Sequence, residues 1–132
     1  RPVPGKDEGR EVRTRQQRRT MVATYDDAGL LVQLMRWGTE MKLEDAFSVI
    51  FSEDFDGEAV ASDDAAVGRI LFFGETVGAM VKHGVLNREL LLDVFWVEGI
   101  WSKVAPSALR AREGAGEERL YENFEALATS AG

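Results

Sequence analysis

Apolar residues recur at helical spacing along most of the chain, and the pattern is densest between Ser62 and Trp101. Val67, Ile70, Leu71, Gly74, Val77, Gly78 and Val81 fall three or four apart, which lays them along one side of a helix. Phe72, Phe73 and Met80 widen that stripe, so the helix is expected to be buried over much of its circumference. Ser62 stands as its N-cap, with Asp63 and Asp64 at the positive end of the helix dipole. Lys82 and His83 suit the negative end, and Gly84 is placed to close the helix in the left-handed conformation. After the turn Gly84-Val85-Leu86, Asn87 caps a second helix carrying Leu90, Leu91, Val94, Phe95 and Trp96. So short a connection predicts an antiparallel helix hairpin of about residues 62–83 and 87–96.

Gly74 and Gly78 share one face of the first arm. Each costs up to about 1 kcal/mol of helix propensity relative to Ala, so something must lie close against that face. Close helix packing within the domain is the plain explanation, and a ligand groove or dimer seam is the alternative.

The flanks keep the same period. A helix capped by Asp26 or Asp27 is expected to run to Trp37, burying Leu30, Leu31, Leu34, Met35 and Trp37, with Gly38 as its stop. Its start could instead lie near Glu11. A helix of about Leu43 to Phe51 follows, then an acidic loop over residues 52–61. Aligning Gly57 with position six of a calcium loop puts Asp54 and Asp56 on ligand positions, but Ser52 and Asp63 then stand where Asp and Glu belong. A solvated acidic turn is the expectation. Val97, Ile100, Trp101, Val104, Ala108 and Leu109 share a helical face, which Pro106 is expected to kink or to end near Ala105. A last helix is expected from about Glu117 to Ala128. The fold class is therefore all-α, a compact bundle of five to six helices around the central hairpin. Residues 21–132 form its single domain, preceded by a disordered or partly helical basic arm over residues 1–20.

Composition changes this picture in two places. The 132 residues include no cysteine, which removes disulfides and thiolate metal sites. Net charge is −7 but uneven: residues 1–20 hold seven Lys/Arg and three Asp/Glu, a net +4, and the rest hold nine and twenty, a net −11. An acidic body disfavours nucleic acid as the main ligand. The arm, with Arg13, Arg15, Arg18 and Arg19, suits an acidic protein surface or anionic lipid. No apolar run is long enough to cross a bilayer, and a cytoplasmic location is expected.

Candidate chemistry is sparse. His83 is the only histidine, and its place before Gly84 fits a helix end better than a metal or a catalytic triad. Glu75 is the odd carboxylate in the buried helix and needs a partner such as Arg or a Trp N–H. No catalytic residue, metal or cofactor is predicted. Trp37, Trp96 and Trp101 are the large anchors and the candidate contact residues.

The series Val77-Gly78-x-x-Val81-x-x-Gly84-Val85-Leu86, Leu90-Leu91-x-Asp93-x-Phe95-Trp96, Trp101 with Pro106 and Arg110, and Tyr121-x-x-Phe124-Glu125-x-Leu127-Ala128 resembles the domain of unknown function 4760 family over roughly Leu30 to Ala128. The resemblance implies a small, mostly prokaryotic helical protein and carries no activity, cofactor or catalytic residue with it. Some proteins resembling this family place a membrane helix just before the domain, and the Arg10–Arg19 run would suit its cytoplasmic flank.

Three readings of function follow. The first is a non-enzymatic protein–protein interaction domain, with another protein or a second copy as partner. Its expected surface is the groove between the hairpin and the Trp101–Leu109 helix, with the arm as a second contact. The second is a cytoplasmic domain peripheral or tethered to a membrane, with the arm on anionic lipid; the tethered version needs a segment upstream of Arg1. The third is an enzyme using carboxylates in a pocket where Glu75, His83 and arginines converge.

Overall fold

The computed structural model describes residues 22–129, so the arginines of the arm lie outside the described residues. Six helices follow in order: α1 Tyr25–Glu40, α2 Leu43–Ile50, α3 Ala65–Lys82, α4 Arg88–Val94, α5 Val97–Ala115 and α6 Glu122–Thr129. No strand occurs among the described residues. None of the helices is long and apolar enough to cross a membrane.

The expected first arm of the hairpin, α3, is the axis of the fold. It buries Ala66, Val67, Ile70, Leu71, Phe73, Gly74, Val77 and Gly78. It packs most extensively against α6 and next against α2. The expected second arm, α4, is a seven-residue helix with Leu91 as its fully buried position, and it makes few contacts with α3, so the main partner of α3 is α6 and not the expected hairpin arm. Val104 and Ala108 of α5 and Ile50 of α2 complete the core with no exposed surface.

Several boundaries differ from expectation, each for a local reason. Thr24, not Asp26 or Asp27, caps α1. Its hydroxyl accepts from the Asp27 N–H at 3.2 Å, and the Asp27 carboxylate accepts in return from the Thr24 N–H at 2.8 Å. The other Asp27 oxygen accepts from the Asn87 N–H at 2.9 Å, so a buried carboxylate ties the start of α1 to the start of α4. Gly38 does not stop α1. It faces inward, 3.1 Å from Leu43 Cδ1 by the position its Cβ would take, and the chain reverses instead at Lys42, with φ 59°. Asp64 replaces Ser62 as the cap of α3, accepting from the Val67 N–H at 2.9 Å.

Gly84 closes α3 at φ 72°, in the left-handed region as its position suggested. Pro106, by contrast, neither ends α5 nor splits it. The helix continues to Ala115. Losing one backbone bond to proline costs about 3 kcal/mol in a helix interior. Burial of Val104 and Ala108 on either side of it offsets that cost. The last helix starts at Glu122 rather than near Glu117, because residues 117–121 form turns tied to α5. Arg112 Nε donates to the Leu120 carbonyl at 2.6 Å, and Arg112 Nη2 to Glu125 at 3.1 Å.

Candidate functional site

The glycine face of α3 is closed by α6. A Cβ on Gly74 would run into the ring of Phe124, and one on Gly78 into the backbone carbonyl of Asn123. Glu75, between them, reaches the same place. Its carboxylate accepts from the Asn123 N–H at 2.8 Å, the Phe124 N–H at 2.9 Å and the Asn123 side-chain amide at 3.1 Å. These are amides of the first turn of α6, which have no partner within their own helix. Tyr121 precedes that turn at φ 62°, a conformation a bulky residue rarely adopts. The partner of Glu75 is thus a helix N-terminus rather than the Arg or Trp N–H expected for it. The role of Gly74 and Gly78 is close helix packing, the first of the two explanations their spacing allowed.

This seam bears on the carboxylate-enzyme reading. An open cleft of about 1110 Å³ runs beside it, and its walls do include Glu75, His83 and Arg119. Both Glu75 oxygens are committed to α6. Arg119 pairs with Glu122 at 3.0 Å, and that hydrogen bond holds the Glu122 carboxyl below its ordinary range. His83 is exposed at the end of α3. Glu117, also in the wall, accepts from the Arg119 N–H at 3.0 Å.

The acidic stretch 52–61 is a turn held to α5 by Arg110. Its guanidinium donates to the carbonyls of Gly57 and Val60 at 3.1 Å and of Glu58 at 3.2 Å. A Cβ on Gly57 would stand 2.7 Å from the Lys103 carbonyl, so the turn lies directly on α5. Asp56 accepts from the Glu58 N–H at 3.0 Å. Among the described residues no three His, Asp or Glu side chains are grouped to hold a metal.

The groove expected between the hairpin and the Trp101–Leu109 segment is filled. What remains there is a cavity of about 30 Å³ lined by Ile70, Gly74, Val77, Leu91, Ile100 and Phe124. Trp101 is correspondingly a core residue, buried with its ring 5.0 Å from Phe124, and leaves the set of contact candidates. Trp37 is half-buried against Phe73 at 5.1 Å and meets the exposed Phe72 edge-on.

Trp96 is different. It is 68% exposed, yet its indole has two neighbours. One contact is the Phe51 ring, 5.9 Å away and within 11° of parallel. The other is Gly99 in the first turn of α5, where a Cβ would collide with the indole. Phe51 is itself 42% exposed, and Val94 beside Trp96 is 45% exposed. The rings therefore join the end of α2 to the α4–α5 junction and present an apolar face to water. The chain on either side is acidic: Glu53 and Asp54 follow Phe51, and Asp93 and Glu98 bracket Trp96, all four exposed. The ion pairs among the described residues are Arg112–Glu125 and Arg119–Glu122, so none of these four acids is neutralised by a described basic side chain. Phe51 and Gly99 were not singled out by sequence. A glycine three residues after a tryptophan, at a helix start, was the available signal.

The family model described as Domain of unknown function (DUF4760) matches residues 7–130. No curated protein and no solved structure matches the chain.

Proposed function

We propose, from the premise that this chain belongs to the domain of unknown function DUF4760 family, that it is a non-enzymatic protein-interaction domain. Its docking surface is the Phe51–Trp96 face, and the partner it takes is a basic segment of a protein. The observation that carries this reading is the exposed indole of Trp96, stacked on Phe51 and seated on Gly99, in a stretch of chain whose four exposed acids pair with no described basic side chain. A ring held in place loses little conformational freedom when a partner covers it. Its open face attracts a guanidinium or ammonium through the ring quadrupole, and the acids around it add a field of the same sense. The same field opposes phosphate, so nucleic acid and anionic lipid are poor ligands for this face.

A fluorescently labelled octa-arginine peptide is the direct probe, titrated against the full chain by anisotropy at low salt. Trp96→Ala should weaken its binding by about five- to tenfold, the equivalent of roughly 1 kcal/mol of ring contact. Its folding should be nearly unaffected, because the lost ring is mostly in water. Binding that falls with salt but is indifferent to Trp96→Ala would overturn the reading, since diffuse charge alone would then account for it.

A further inference from the structure

We infer that the chain's own arginine run, Arg10 to Arg19, occupies the Phe51–Trp96 face in cis. This rests on the proposal that the face docks basic segments, and it names what covers the face when no partner is bound. The chemistry matches. Residues 10–19 hold five arginines and a single acid, Glu11, whereas the chain next to the two rings carries the exposed acids Glu53, Asp54, Asp93 and Glu98. Arginine is also the side chain that stacks best on an indole while pairing with carboxylates.

The reach matches as well. The described chain begins beside α4: Thr24 is bonded to Asp27, and Asp27 to the Asn87 N–H. The seven residues of α4 rise about 10 Å. Two further residues bring the chain to Trp96, so the start of α1 and Trp96 are within about 25 Å of each other. Twelve residues, 10–21, extend to about 40 Å. The first part of the arginine run, Arg10 to Arg13, can therefore meet the rings without any movement of the helices. Because the arm and the face belong to one chain, the contact is intramolecular, and a weak affinity suffices to populate it. The family match begins at residue 7, so the arginine run belongs to the matched unit.

The absence of cysteine makes the test clean, because Thr14→Cys gives the full chain one site for a nitroxide label. The readout is the indole N–H signal of each tryptophan in the nitrogen-15-labelled protein. Docking in cis predicts that the Trp96 signal loses intensity more than those of Trp37 and Trp101. It should recover when salt is raised from 50 to 500 mM. Broadening that appears only when isotope-labelled chain is mixed with separate spin-labelled chain would overturn the cis contact in favour of exchange between copies. An unbroadened Trp96 would overturn it outright.

Octa-arginine binding separates this inference from the proposal beneath it. A full chain with Arg13, Arg15, Arg18 and Arg19 all changed to Gln should bind the peptide several-fold more tightly than the parent, because its internal competitor is gone. Equal, Trp96-dependent binding by the two chains would remove the arm as occupant and leave the docking face standing. No binding by either chain would remove both.

Discussion

Two regions of this molecule use the same local device, an aromatic ring laid on a helical glycine, to opposite ends. On α3 the ring of Phe124 lies on Gly74, and both are buried. On α5 the indole of Trp96 lies on Gly99, and the tryptophan is mostly exposed. What differs is the layer above the ring. Trp101, Leu127 and the rest of the core cover Phe124, so that contact holds the fold together. Among the described rings, Phe51 alone stacks on Trp96, so that contact leaves a surface to be used. A glycine under an aromatic ring reports where the ring sits, and burial decides what the ring is for.

The comparison can be broken most forcefully at Gly78. Gly78→Ala gains about 1 kcal/mol of helix propensity, but its methyl meets a backbone carbonyl that cannot swing away. The net expectation is a loss of about 2 kcal/mol in urea unfolding. Gly68→Ala in the same helix meets nothing within 4 Å and should instead stabilise by up to about 1 kcal/mol. If both substitutions moved stability in the same direction, the close seam between α3 and α6 would be wrong.

Glu75→Ala comes next. It strips the acceptor from two first-turn amides of α6 and from the Asn123 side chain. A cost of about 1–2 kcal/mol is expected, with the loss of amide exchange protection concentrated in α6. A uniform loss of protection across all helices would show that Glu75 does not serve α6 in particular.

Gly99→Ala should hardly change stability, because the displaced indole can swing into water while the helix gains propensity. It should redden Trp96 emission and weaken octa-arginine binding towards the Trp96→Ala value. Unchanged binding would mean that the seat of the ring is irrelevant to the face.

The smallest effect is expected from the exposed pair near the seam. Arg119 lowers the Glu122 carboxyl, so the pair contributes at neutral pH and fades as pH falls through that lowered value. With both groups in water, Arg119→Gln should shift the unfolding midpoint by about a degree or less at pH 7, and by nothing at pH 2. A shift persisting at pH 2 would assign Arg119 a contact other than Glu122.

The all-helical class was legible because each apolar stretch between Leu30 and Leu127 keeps a period near 3.6 residues, with the acidic stretch 52–61 as the break. The glycines of α3 were legible for the same reason: two of them on one face of a buried helix require a close neighbour. The errors have a common cause. Gly38, Pro106 and Glu117 carry local signals of helix ends, and at each place contacts distant in sequence decided otherwise. Leu43 fills the space beside Gly38, the buried neighbours of Pro106 outweigh its missing amide, and Arg112 holds the 117–121 turns. The candidate face was half legible. Trp96 was among three equivalent tryptophans by sequence, and only its partners, Phe51 and Gly99, separate it from Trp101. Those partners are set by how α2 meets the α4–α5 junction, which no local pattern encodes.

The bond from Glu75 to α6 also constrains the order in which the molecule can assemble. Eight residues are too few for an isolated helix to persist in water. The first turn of α6 is completed by a side chain 48 residues earlier in the chain. Helix formation in α6 and its docking on α3 are therefore expected to be coupled. Until it happens, α3 carries an open glycine furrow with a bare carboxylate in it. A nascent chain is thus exposed to misassociation along this furrow for as long as synthesis takes to pass from α3 to α6, and chaperone dependence should track that interval.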